Sequence, residues 1–171
     1  MPQVFTTSLI YYLPTFKSSS YWKRAILGGW QYSDMTTIQT GNSATFGLNA
    51  PHSGLASRPN LTGLVSYPRK WRNTGDKWFD TTPFAQPAPG YFGNVRNGTA
   101  MTPGVIVFNM AGYKTFPITE SSNFQLRIEF FNALNHTNPN GPDMNYGTGN
   151  FGMITGAKEA REGEASLKFN F

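Results

Sequence analysis

Phe124-Gln125-Leu126-Arg127-Ile128-Glu129-Phe130-Phe131-Asn132-Ala133-Leu134 carries the decisive pattern. Phe124, Leu126, Ile128 and Phe130 are apolar, and Gln125, Arg127 and Glu129 fill the alternate positions. Successive side chains of an extended chain point to opposite faces, so the run predicts a strand over 124–134 with one oily and one charged face. The last stretch repeats it. Ala165, Leu167, Phe169 and Phe171 alternate with Ser166, Lys168 and Asn170, which predicts a strand over 164–171.

Upstream, 105–116 predicts a third strand, with Ile106, Phe108, Met110 and Gly112 on one face and Asn109, Ala111 and Tyr113 on the other. The segment Pro117-Ile118-Thr119-Glu120-Ser121-Ser122 is rich in turn formers, so 105–116 and 124–134 should form an antiparallel hairpin. Two further strands are expected over 4–13, stopped by Pro14, and over 30–40. In the latter, Asp34 falls on the face of Trp30, Tyr32 and Ile38, out of keeping with them. Residues 21–27 suit one or two helical turns ended by Gly28-Gly29. The stretches 41–104 and 136–163 are dense in Gly, Pro, Asn and Ser and show no sustained periodicity, apart from a short extended piece over 151–155. The fold class is therefore all-β, an antiparallel meander of about five long strands with two long loops. Loops of that length are unusual inside compact soluble domains. They are expected of outer-membrane barrels, which alternate short periplasmic turns with long external loops. If the chain ends in the periplasm, both short connections (14–29 and 117–122) fall there and both long loops fall outside.

Composition agrees. Charged residues make up 13% of the chain and aromatic residues 15%, against a typical charged share of about 25%. No apolar run approaches the ~20 residues of a membrane helix. The formal charge of +5 rests on scattered groups, Lys17, Lys23 and Arg24 in one connection and Arg69, Lys70 and Arg72 in another. Neither is the long basic run with interleaved aromatics that nucleic acid calls for, so no nucleic-acid partner is expected. There are no cysteines, and the two histidines, His52 and His136, stand far apart without metal-ligand spacing. Asn138 to Asn150 contains Asp143 but lacks the carboxylate density of a calcium loop. No nucleophile motif or phosphate-cradling glycine loop occurs. No enzyme activity, catalytic residue, metal or cofactor is expected. Met1 leads straight into Val4-Phe5-Thr6-Thr7 with no signal peptide, so an outer-membrane chain of this kind is expected to be the tail of a longer protein.

Several short motifs then stand in order along nearly the whole chain. They are Ile26-Leu27-Gly28-Gly29-Trp30-Gln31, Ser57-Arg58-Pro59-Asn60-Leu61, Trp78-Phe79-Asp80-Thr81 with Phe84-Ala85, and Phe92-Gly93-Asn94 with Arg96-Asn97. Gln125 to His136, Phe151-Gly152-Met153-Ile154-Thr155 and Leu167-Lys168-Phe169-Asn170-Phe171 complete the set. Together they resemble the C-terminal barrel region of TonB-dependent receptors, especially Oar-like ones with an N-terminal carboxypeptidase-regulatory-like domain. The resemblance implies a bacterial outer-membrane location and an incomplete C-terminal segment of a transmembrane barrel. About five strands fall short of the roughly eight that the smallest membrane barrels need. It also implies a plug domain and further strands N-terminal to this region. The whole receptor would bind a solute outside and import it with energy relayed through TonB. The implied partners are outer-membrane lipid, the missing strands and plug, the TonB complex and the barrel-assembly machinery.

Residue roles follow as expectations. Gln125, Arg127, Glu129, Lys168 and Asn170 are candidates to face the lumen or plug. Trp71, Trp78, Phe79, Tyr91 and Phe92 are candidates to touch ligand, although loop aromatics more often pack a loop onto itself. Leu167, Phe169 and Phe171 resemble the terminal signal read by barrel-assembly machinery. Two other readings stay open: a soluble secreted β-sandwich that binds carbohydrate through its loop aromatics, and a non-transporting porin or adhesin barrel. A second sheet packed over Phe124, Leu126, Ile128, Leu167 and Phe169 would favour the sandwich. An uncovered outward band would remove it.

Overall fold

The computed structural model describes residues 2–17, 20–49, 58–75 and 77–171. His52 and Ser57 lie outside them. The chain runs β1 (Val4–Tyr12), helix α1 (Tyr21–Leu27), β2 (Trp30–Gln39), β3 (Ser43–Ala44), β4 (Gly47–Leu48), β5 (Asn60–Leu61) and a 3-10 turn at Trp71–Thr74. Then follow β6 (Phe84–Ala85), β7 (Ala100–Met101), β8 (Val105–Pro117), β9 (Asn123–Phe131), β10 (Asn145–Tyr146) and β11 (Glu162–Asn170). These elements form two compact units.

The first unit holds the long strands in one sheet, ordered β1-β2-β8-β9-β11. The fold is the all-β meander that the alternation implies. β9 is antiparallel to both its neighbours, with Leu126 facing Leu167 on one side and Lys114 on the other. Residues directly opposite share a face. The oily face therefore carries Phe124, Leu126, Ile128 and Phe130 beside Ala165, Leu167 and Phe169, and the Phe124 and Phe169 rings lie 5.0 Å apart. It is left uncovered: Leu167 is 64% exposed, Phe169 46%, Phe130 44% and Phe124 39%. Among the described residues no strand lies beyond β1 or β11 in this sheet.

The expected strand boundaries shift, most at β9 and β11. β9 stops at Phe131 instead of Leu134, because Asn132 takes a left-handed φ of 48° and its buried side chain ties down the corner. Its amide Nδ2 donates to the carbonyls of His136 and Glu159, and its Oδ1 accepts from the His136 N–H. β11 begins at Glu162 and ends at Asn170. Asp34, the misplaced polar residue of β2, accepts a hydrogen bond from the buried Thr36 hydroxyl at 3.1 Å.

The second unit consists of residues 1–3, 40–105 and 138–158, and so draws on most of both stretches expected as long loops. Phe46, Phe79, Phe84, Val95, Ala100 and Phe151 form a buried core. The four phenylalanine rings pack at tilted and edge-on angles with centroids 4.5–6.0 Å apart. Three two-residue ribbons surround it: β3 with β7 and β5 with β6 antiparallel, β4 with β10 parallel. Motifs distant in sequence meet here. Asn94 Oδ1 accepts from the Leu61 N–H at 2.6 Å, Asn60 Oδ1 accepts from the Asn94 N–H, and Arg58 reaches Asn97. Gly93 sits so close to the Arg58 and Pro59 carbonyls that any Cβ would overlap them. The Trp78 N–H donates to the Gly152 carbonyl at 2.7 Å, and Gly152 supplies a φ of +81° beneath Phe79.

Candidate functional site

The polar face of the sheet gathers the charged groups of β9. Arg127 and Glu129 lie two residues apart on one face and form an ion pair. Tyr113, directly across from Arg127 on β8, donates its hydroxyl to the same carboxylate oxygen of Glu129 at 3.3 Å. The guanidinium also stands over the Tyr113 ring, 5.3 Å from its centroid. Glu129 faces Glu164 of β11, a like-charge pair that Arg127 offsets from within the sheet. Gln125 is opposite Lys168, and Asn170 donates to Asn123 at 2.9 Å. All five lumen candidates therefore share one face. Next to them runs an open depression of about 260 Å³, lined by Ser8, Ile10, Ser33, Met35, Asn109, Tyr113 and Glu129 among others. Sequence alternation picked out Arg127 and Glu129 and missed Tyr113, whose role depends on cross-strand register.

That arrangement can bind and orient, since it offers a guanidinium, a phenol and amides in a row. Its ion-paired carboxylate is Glu129. Among the described residues no group of three or more His, Cys, Asp or Glu side chains is placed to hold a metal.

The loop aromatics divide sharply. Phe79 is fully buried at 0% exposure in the core of the second unit, which corrects its candidacy as a ligand contact. Trp78 is half-buried, donates its indole N–H to the Met101 carbonyl at 2.6 Å, and lies edge-on to Tyr67 and Trp71. Arg72 covers the Trp71 ring at 4.7 Å. Tyr67, unforeseen, completes this cluster by accepting from the Met101 N–H. Tyr91 and Phe92 point outward, 75% and 65% exposed. Two carboxylates order the same unit. Asp80 is held below the usual carboxylate range by hydrogen bonds from the Thr82 backbone and hydroxyl, with the Lys77 charge adding to them. Burial raises the Asp143 carboxyl, but the Thr148 hydroxyl and the Asn145 backbone and side-chain amides outweigh it and set the pKa below the usual value. Leu167 and Phe169 stand on the outer strand, and the exposed Phe171 stacks on Phe169 at 5.8 Å.

The family model described as the outer membrane beta barrel domain matches residues 1–164. No curated protein and no solved structure matches the chain.

Proposed function

The chain belongs to the outer membrane beta barrel domain family and lies in the bacterial outer membrane, and from that premise we propose that it serves a TonB-dependent receptor as a structural barrel segment. The observation that carries this reading is the opposite dressing of the two faces of β9 and β11. An oily band fits lipid tails, while the Tyr113–Arg127–Glu129 cluster fits a polar lumen occupied by a plug. Family membership and the uncovered oily face weigh against a soluble carbohydrate-binding sandwich. Unpaired β1 and β11 edges would strand backbone groups in lipid, so further strands close the barrel on both sides. The segment does no chemistry itself. The second unit, outside the cell, offers Tyr91 and Phe92 to an incoming solute, and import draws on energy relayed through TonB. The order of motifs from Ile26 to Phe171 supports the TonB-dependent assignment.

Purified from the outer membrane, the protein should bind the periplasmic domain of TonB in a pull-down and stay electrically silent in planar bilayers. A steady open pore without TonB binding would reverse the assignment in favour of a porin. Neither conductance nor TonB binding would leave an adhesin barrel.

A further inference from the structure

The connection between β1 and β2 contains α1, and α1 is bonded to groups on the oily face of the sheet. Trp30 lies over Gly112 on that face, and its indole N–H donates to the Ile26 carbonyl at 2.8 Å. Lys114, set on the same face by its pairing with Leu126, is 4% exposed. Its ammonium donates to the Ile26 and Gly28 carbonyls at 3.0 and 2.6 Å, which are the free acceptors at a helix C-terminus. The cation on the lipid face is thus spent on holding the helix in place.

What the helix presents from there is unusual for a surface in water. Tyr21 is 65% exposed, Trp22 71% and Ile26 61%. At 100° per residue Tyr21, Ala25, Trp22 and Ile26 form one arc, and Lys23 and Arg24 flank it. Lys17 precedes the helix, and no carboxylate occurs anywhere in residues 1–33. An exposed Trp and Tyr beside unopposed cations match the boundary of a phospholipid layer, where rings sit at headgroup depth and ammonium and guanidinium groups meet phosphate.

We propose that α1 is an interfacial helix seated in the headgroup layer of the inner leaflet, where Lys17, Lys23 and Arg24 bind the phosphates of anionic phospholipid. The occupant is phospholipid because the helix continues the lipid-facing surface of the sheet and, with the chain around it, carries cations and no carboxylate of its own. The inference rests on the barrel assignment and on the short connections facing the periplasm, and is independent of TonB-linked import.

The protein purified from the outer membrane is reconstituted into vesicles of phosphatidylethanolamine and phosphatidylglycerol, with bromines placed near the headgroup in one lipid set. A component of the tryptophan emission should be quenched by these lipids and should vanish in Trp22→Phe. Quenching of that component by aqueous iodide instead overturns the proposal, as does protection from both quenchers, which would mean that a protein partner covers the helix. In detergent, retention of phosphatidylglycerol by the Lys23→Gln/Arg24→Gln variant, read by native mass spectrometry, should fall about fivefold for each charge removed. Equal loss of phosphatidylethanolamine, or no loss, overturns the charge recognition. The variants sit on exposed positions, so the TonB pull-down should be unchanged in them.

Discussion

Asn132 does three things at one corner. It adopts a left-handed backbone, buries its amide, and bonds chain on either side of the turn from β9 towards β11. Asn132→Gly keeps the backbone easy and loses the bonds, whereas Asn132→Ala loses both. Each should lower the unfolding free energy in lipid vesicles by about 1–3 kcal/mol, with the alanine variant worse, measured by urea titration. Asp143 makes a different demand, on pH. Its folded pKa is depressed, so its contribution is complete above the unfolded value of about 3.9 and is lost as pH falls through the lower folded value. Local opening around Thr148, read by hydrogen exchange corrected for intrinsic rates, should be flat down to about pH 4 and rise below it. Asp143→Asn should abolish that rise.

At the level of elements, β11 allows a matched comparison. Leu167→Arg puts a charge on the oily face and should cost about 2–4 kcal/mol near mid-membrane. Ser166→Glu, one residue away, faces Arg127 and should cost little. Equal destabilisation of both in a vesicle-folding assay would mean that the two faces meet the same solvent. The faces were legible because alternation is local: Phe124 to Phe130 displays its period in a few residues. Strand ends were less so, since the corner at Asn132 depends on the Glu159 carbonyl, far along the chain. Lys114 was illegible for the same reason. Its acceptors lie 88 and 86 residues away, and in the sequence it is only a polar residue out of phase. Among the site residues, Arg127 and Glu129 were visible by spacing, while Phe79 and Phe92 look alike in sequence. Only the packing of Phe46, Phe84 and Phe151 around Phe79 separates the buried ring from the exposed one.

At the scale of the whole molecule, the two units treat their apolar side chains differently. The sheet leaves Phe124, Phe130, Leu167 and Phe169 exposed, whereas the second unit buries four phenylalanines within itself. Phe46→Ala should therefore open the second unit, at about 3–5 kcal/mol locally, while amides of β8 and β9 keep their protection in hydrogen exchange. Loss of protection in both would show that they fold as one. The core also fixes how the surface can be used. Leu64 is 93% exposed, yet Leu61 and Val65 on either side of it are packed against the phenylalanine core. A peptide tag spliced in beside Leu64 would be clamped at both ends, so antibodies that recognise a constrained loop should label intact cells better than those raised against the same peptide in free form. The second unit is in that sense a display mount, and its tips can change their chemistry without disturbing their footing.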